Sequence, residues 1–523
     1  MTGLCGRAPC GVILRRRPKD PGAERDGSAA KGTACDAESG PDFFPALAMR
    51  RKCRYNIYIP VRRTERAFAM KQKGLSSAQI IPLGFLLLIL LGTGLLSLPF
   101  ATADGTRAPF LTALFTATTS VCVTGLVVVD TYAYWSLFGK IVILLLIQMG
   151  GLGIVAVSSS LFLVLKRTFT IRNRALLRDA FDLDSLQDVL RFLKRVMRGV
   201  FLIEGIGALL YAFAFVPEFG PVRGVWYAIF HSISAFCNAG LDLIGPESFI
   251  PYQTNAYVLT VTMLLIVVGG LGYIVWFDSF STARESVRHR RGVRWFFRHL
   301  GEQTKLVLCV TAALIVIGAA ATLLLERNNP QTLGALPFGQ QLLNATFQSV
   351  TYRTAGFSAV PQGALTDGSV ILGSVFMFIG GSPMGTAGGV KTVTVAVLLL
   401  SAFSYVRGRA DTVVFRRSIS FELVRKAAAI LFFSLFLSLL SAVVLIAADG
   451  IPMQDAIYEV FSATGTVGLS RGLTPHLSVF GRILIILCMY LGRIGPISLA
   501  LFFHTDLSGG KNIRYAQGRY YVG

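Results

Sequence analysis

Acidic residues are scarce in this chain of 523: 28 Asp and Glu stand against 50 Lys and Arg, and charged residues of either sign make up only 15%. A soluble protein of this length needs far more polar surface than a composition that is 53% hydrophobic, with a mean hydropathy of +0.61, can supply. A cytosolic globular enzyme is therefore close to excluded. The eight cysteines, at 5, 10, 35, 53, 122, 237, 309 and 488, form no CxxC pair and meet no His at zinc-finger spacing. Neither a disulfide framework nor a structural metal is expected. Motifs of covalent chemistry are missing as well: there is no HExxH, no GxSxG and no pair of carboxylates inside an apolar run. GGVKT at 388–392 carries a valine between glycine and lysine, unlike a phosphate-binding loop, and GGLGIV and GGLGYI lack the strand and downstream acid of a dinucleotide fold. No nucleotide site and no enzyme activity are expected.

What the chain does have is long apolar runs. Runs of bilayer-spanning length lie at about 80–103, 141–165, 200–217, 255–277, 306–325, 369–406, 427–448 and 483–503. The segments between them alternate in charge. Those at 166–199, 278–305, 407–426 and 504–523 hold 25 Lys and Arg, whereas the other four hold seven. Cationic loops stay in the cytoplasm, so both termini are expected there, and the excess of +22 reads as topology charge facing anionic lipid rather than as a nucleic-acid surface. The first 75 residues carry 16 Lys and Arg, are rich in Gly, Pro and Ala, and hold no run long enough for a signal peptide. They read as a basic, disordered extension on anionic lipid or, if translation starts at Met70, as sequence preceding the true start.

An internal repeat is the strongest signal. Each poorly charged segment contains a short apolar stretch ending in small residues and glycine: TSVCVTGL at 119–126, SAFCNAGL at 234–241, TYRTAGFS at 351–358 and SATGTVGLS at 462–470. Aligned on Gly125, Gly240, Gly356 and Gly468, they recur at intervals of 115, 116 and 112 residues. An aromatic residue stands ten positions before three of these glycines (Phe115, Phe230, Tyr458) and nine before the fourth (Phe347). Further on come glycine-broken stretches: GGLGIV, GGLGYI, GGSPMGTAGG and LGRIGPIS. One unit reads as span, short apolar segment, glycine string, span. The first short segment, Pro109 to Ser120, is about 18 Å long as a helix against about 30 Å of hydrocarbon, so it must re-enter.

Irregular backbone at membrane depth is tolerated only where protein or water surrounds it, so the four strings are expected to meet at one axis. Two spans per unit give all four the same orientation, which disfavours inverted repeats. The expected fold is an all-α membrane protein of eight transmembrane helices, in four parallel repeats of helix, re-entrant pore helix with filter loop, and helix. Repeat 1 occupies 76–165, repeat 2 195–277, repeat 3 304–406 and repeat 4 425–503, followed by a cytoplasmic tail, 504–523.

The strings suit a dehydrated monovalent cation. Glycine supplies positive φ without a Cβ clash, letting successive carbonyls point inward. Its neighbours Val123 and Thr124, Asn238 and Ala239, Thr354 and Ala355, and Thr466 and Val467 include no acid, so the carboxylate ring of a divalent-cation filter is absent. Rings of carbonyls replace the hydration shell of K⁺, the cheapest common cation to strip. K⁺ at the filter is the only metal ion expected. Arg353, three residues before Gly356, either points away from the axis into a polar pocket or tunes the mouth.

Ionisable residues inside the spans are functional candidates. Arg493, 25 residues after Gly468, would place a positive charge below the filter, raising the barrier to cation flow, holding a loop by hydrogen bonds, or merely neutralising carbonyl ends. Lys391 either snorkels or pairs across the pore. Glycines 380, 381, 385, 388 and 389 with Pro383 break a 38-residue apolar run too long for one helix. That break reads as a movable constriction or a static kink. Glu204 is expected to snorkel or to be paired, and His231 to be a packed, hydrogen-bonded histidine.

The four strings with one glycine each, the GGSPMGTAGG break and the Arg in the final span resemble the Trk/Ktr/HKT superfamily of potassium transporters, and from Met70 onward the plan is most similar to its KtrB-type ion-translocating subunits. The resemblance implies that Gly125, Gly240, Gly356 and Gly468 with their preceding carbonyls bind K⁺. It implies an intramembrane gating loop formed by Gly380, Gly381, Gly385, Gly388 and Gly389 with Lys391, and a gating role for Arg493. It further implies a cytosolic RCK-type nucleotide-binding partner, a homodimer in the plasma membrane and, in some members, dependence on Na⁺. The rival readings are a transporter of an organic solute, against which the small, neutral strings argue, and a membrane scaffold or receptor component, which would not need four glycines in register.

Overall fold

A computed structural model of the chain describes residues 77–153, 189–409 and 411–495. The expected basic extension, the cytoplasmic tail and the ends of the second and last apolar runs lie outside those residues. The fold is mostly helical. In chain order the helices are α1 (Ser77–Leu96), α2 (Phe110–Cys122), α3 (Thr131–Tyr134), α4 (Leu137–Leu152), α5 (Val189–Phe219), α6 (Pro221–Cys237), α7 (Ala256–Leu271), α8 (Tyr273–Arg288), α9 (Val293–His299), α10 (Glu302–Glu326), α11 (Phe338–Thr351), α12 (Asp367–Phe378), α13 (Thr392–Val406), α14 (Phe421–Asp449), α15 (Met453–Gly465) and α16 (Val479–Ile494). A two-strand hairpin, β1 (Val413–Val414) and β2 (Arg417–Ser418), interrupts the basic segment between α13 and α14.

Among the described residues four helices, α1, α5, α10 and α14, are long and apolar enough to cross a bilayer, and a fifth span results if the pair α7 and α8 is one. That pair departs from expectation. The run at 255–277 reads as a single span, yet the chain turns by 101° after Leu271, at Gly272, whose φ is +91°. Apolar residues continue through the corner, so hydropathy alone hides it.

Outward faces of the long helices are apolar. In α1, Leu86, Leu87, Leu90 and Leu91 are exposed while Phe85, Leu88, Ile89 and Leu96 are buried. A soluble protein would not leave such a stripe in water; here it suits acyl chains. Helix starts are set locally. Asn255 Oδ1 accepts from the Tyr257 and Val258 amides, and Ser478 Oγ from that of Gly481.

The short helices α2, α6, α11 and α15 share a build. Each opens on a proline, at Pro109, Pro221, Pro337 and Pro452, whose missing N–H falls where no helical bond would form. Each carries a fully buried aromatic, Phe115, Phe230, Phe347 or Tyr458, and four positions later a hydroxyl, Thr119, Ser234, Thr351 or Ser462. At 13 to 17 residues they are about 20–25 Å long.

Candidate ion pathway

The chain leaves each short helix through a left-handed residue two places before the glycine: Val123 (φ 56°), Asn238 (61°), Thr354 (64°) and Thr466 (54°). Gly125, Gly240, Gly356 and Gly468 follow with φ of 101°, 67°, 83° and 97°. β-Branched residues resist the left-handed region, and three of the four positions hold one. The hydroxyls on the helices' last turns secure the turn. Thr119 Oγ1 and Ser462 Oγ accept from the amides of Gly125 (2.9 Å) and Gly468 (3.0 Å), whereas Ser234 and Thr351 donate to the carbonyls of Leu241 and Phe357, both at 2.6 Å. In the third string the hydroxyl stands five residues before the glycine instead of six. That missing residue accounts for the shorter aromatic spacing.

The four glycines meet. A β-carbon on Gly125 would lie 2.6 Å from the Ala239 carbonyl oxygen, one on Gly240 2.6 Å from that of Ala355, and one on Gly356 2.6 Å from that of Val467. On Gly468 it would collide with the Thr124 carbonyl, which closes the circuit. The strings are thus arranged 125, 240, 356, 468 and back to 125, with no room for any side chain at the glycines. The short helices end at this ring, so their C-terminal dipole ends face it, the polarity that favours a cation. Thr124, Ala239, Ala355 and Val467 supply carbonyls at the contacts, and the hydroxyl oxygens of Thr124 and Thr466 are buried there without a protein partner. Arg353 turns away: its guanidinium reaches Thr311 of α10 at 3.4 Å.

On one side of the ring lies a cavity of about 710 Å³ lined by the four glycines, Asp130, Asp242, Glu247 and Arg471. Arg471 is held by Asp455 at 2.7 Å. Burial pushes the Asp242 carboxyl up to about 6, against hydrogen bonds from Ser248 and the Ile244 and Gly245 amides, so it stays charged at neutral pH.

On the other side the run between α12 and α13 is non-helical. Gly380 N–H donates to Val390 O (2.9 Å) and Thr392 N–H to Gly381 O (3.0 Å), pinching the ends of the segment together. Its middle is tied to the end of α7 by bonds from Ser382 N–H to Gly270 O and from Thr386 N–H to Gly269 O, and to α6 by Thr386 Oγ1 to Phe236 O. Gly388 packs against the Thr466 side chain, and a β-carbon on Gly389 would lie 3.1 Å from Gly465 O. Gly385 lies equally close to Gly269 and Gly270. Lys391 Nζ donates to Ala387 O within the same segment (2.7 Å). Arg493 joins three parts: it donates to Thr386 O (2.5 Å) and, at the end of α4, to Gly150 O (2.6 Å) and Gly151 O (3.3 Å).

This arrangement coincides with a match, over residues 76–515, to the family model described as TrkH, cation transport protein. The chain belongs to that family. It is of the Trk/Ktr, KtrB type: it is 38% identical over 432 residues to the potassium/sodium uptake protein NtpJ of Enterococcus hirae, covering 82% of this chain and 93% of the relative. To the Ktr system potassium uptake protein B of Bacillus subtilis it is 36% identical over 446 residues, 85% of this chain and 96% of the relative. The crystal structure of the potassium transporter TrkH from Vibrio parahaemolyticus shares the fold, with a TM-score of 0.64 at 17% identity over 83% of this chain and 86% of that one. With its apolar helices, the chain is an integral membrane protein of an ion-transporter family, not of an enzyme family.

Near the ring lie two residues singled out in the sequence, Glu204 and His231, and others, Gln148, Glu459 and Gln362, that were not. Glu204 is paired. Its buried carboxylate accepts two bonds from Gln148 Nε2, each 3.0 Å, and lies 3.8 Å from the Cys237 thiol that directly precedes Asn238. His231 is packed and hydrogen-bonded: Nδ1 bonds to Tyr227 O (2.7 Å) and Nε2 accepts from the Leu243 amide (3.2 Å), joining α6 to the segment beyond its string. Buried Glu459 accepts from Ser470 and Thr474, and Tyr458 donates to Gln362, bracing the mouth. The hydroxyl four residues after each buried aromatic was the signal that could have revealed how the short helices hold their strings.

Proposed function

We propose that this chain takes up potassium ions across the plasma membrane, stripping water from K⁺ at a ring of backbone carbonyls from Val123, Thr124 and Gly125, Asn238, Ala239 and Gly240, Thr354, Ala355 and Gly356, and Thr466, Val467 and Gly468. The observation that carries the reading is the closed circuit of four glycines at which four helix C-termini converge. Small neutral neighbours, a charged Asp242 in the outer cavity and the names of the uptake proteins it resembles support it. Eight spans in four parallel repeats, at the boundaries given above, fit four short helices ending at one ring, with both termini in the cytoplasm by the charge of the loops. Inward movement is driven by the membrane potential, worth about 2.3 kcal/mol per charge per 100 mV.

Below the ring, the segment bearing Gly380, Gly381, Gly385, Gly388, Gly389 and Lys391 is the gate, and Arg493 is its latch: the segment is non-helical, lies against the fourth string, and takes a hydrogen bond from Arg493 at its Thr386 carbonyl. "Ktr system" in a relative's name supports a membrane subunit working with others, read as an RCK-type nucleotide-binding cytosolic subunit and a second copy of this chain. "Potassium/sodium" in another's supports a role for Na⁺. No resident cofactor is assigned.

The test is growth of a K⁺-uptake-deficient cell on low K⁺, expressing the chain or its Gly356→Ser variant. Rescue by the first alone is the expected result. Equal growth of the two would dispose of the reading, and rescue of growth on an organic solute instead would favour the rival transporter.

A further inference from the structure

A second cavity shares no lining residue with the one at the ring. The short helix α9, the first turns of α10 and the tip of the β1–β2 hairpin enclose about 540 Å³. Its charged walls are all cationic, Arg298, Lys305 and Arg416. The neighbouring carboxylate, Glu302 on α10, is taken by Arg417 in an ion pair that fastens the hairpin to the helix. Lys305 Nζ gives one hydrogen bond to Arg298 O at 2.8 Å, holding the end of α9 against α10 and leaving further ammonium hydrogens for a ligand.

The remaining walls are apolar and in part exposed. Phe297 and Phe415 are 55% and 45% exposed, and Leu308 and the exposed Cys309 stand one turn deeper along α10 than Lys305. That turn belongs to the stretch of α10 apolar enough to cross a bilayer. The cavity therefore grades from cationic to apolar along the direction in which a membrane grades from headgroup to acyl chain. Its hairpin wall is strained. Phe415 and Arg416 sit at φ of 48° and 70°, a tight turn that ordinarily takes Asn or Gly, yet here it holds a phenyl ring and a guanidinium at the cavity.

We propose that this cavity binds an anionic phospholipid, its phosphodiester held by Arg298, Lys305 and Arg416 and one acyl chain lying over Leu308 and Cys309. Free phosphate or a nucleotide would use the cations alone and leave the apolar half wet. The proposal goes beyond potassium uptake and needs only that the chain be an integral membrane protein.

Full-length protein in nanodiscs of phosphatidylcholine, with or without phosphatidylglycerol, provides the test. Alkylation of Cys309 by a maleimide, read on its peptide by mass spectrometry, is expected to be about tenfold slower with phosphatidylglycerol. Lys305→Gln/Arg416→Gln should abolish that protection and the retention of phosphatidylglycerol in native mass spectra. Should the double variant fail to fold, lipid retention by Cys309→Trp, which fills the apolar half and keeps every charge, is expected to fall by a similar factor. Equal alkylation in both discs, or undiminished lipid retention by the folded variants, would overturn the proposal. So would equal protection by inorganic phosphate in phosphatidylcholine discs, or protection that arises only when a cytosolic protein is added. Rubidium flux reads the ion path separately, so a failure there leaves the lipid result standing.

Discussion

Gly468 is the ring residue with the least latitude, because the place of its β-carbon is already taken by the Thr124 carbonyl and its φ is +97°. Gly468→Ala is expected to cut rubidium uptake by about tenfold or more, since local strain of about 1–3 kcal/mol falls on the coordinating carbonyls, while the protein still reaches the membrane. Unchanged uptake would mean that the ring is not the path. Asp242→Asn removes a charge from the mouth without touching the ring. Uptake at low external K⁺ should fall about two- to fivefold and uptake at saturation should hardly change. Glu204 is a matter of stability. Glu204→Leu leaves the Gln148 amide without its acceptor, an expected loss of about 1–3 kcal/mol seen as a lower melting temperature in detergent, whereas Glu204→Gln retains an acceptor and most of the stability. The glycines were legible at this scale because their spacing repeats. Val123, Asn238, Thr354 and Thr466 were not legible as left-handed residues, because intrinsic preference argues against Val and Thr there and only closure of the ring imposes it. The partnership of Gln148, Glu204 and Cys237 joins positions up to 89 apart, with no pattern to announce it.

Among the elements, the segment between α12 and α13 invites the sharpest experiment. Its break was readable because 38 apolar residues exceed any single span. The corner at Gly272 was not, because Tyr273 to Phe277 continue the apolar run past it. These two features touch: Tyr273 N–H donates to Met384 O (3.1 Å), and a β-carbon on Gly272 would collide with the Pro383 carbonyl. Gly272→Ala and Arg493→Gln therefore disturb one segment from two sides. Each is expected to change rubidium flux in the same direction, and the double variant to fall short of the sum of the two, as coupled neighbours do. Additive effects would show that Arg493 and the corner act on separate things. Removing part of 382–388 should likewise alter flux or its regulation, and no change in either would reduce the segment to a static kink.

Across the whole molecule, the cationic loops predict an orientation that chemistry can check. Glu247 lines the cavity on the Asp242 side of the ring, and exposed His289 follows α8 on a loop rich in arginine. An impermeant thiol reagent on intact cells should modify Glu247→Cys and spare His289→Cys until the membrane is opened. The reverse pattern would turn the proposed uptake path upside down. The mostly helical, membrane-spanning character was legible because hydropathy is a property of long stretches. That the four strings meet was expected; the glycine-to-carbonyl contacts by which they close were not legible, since these depend on how four distant strings pack.

That closure within a single polypeptide has a genetic corollary. In a pore assembled from four separate subunits, one defective copy spoils every assembly it enters. Here all four corners are inherited together, so an inactive allele has no corner to contribute to a healthy ring. Co-expressed with the normal protein it should dilute the flux in proportion to its share, and each of the four corners is free to diverge on its own.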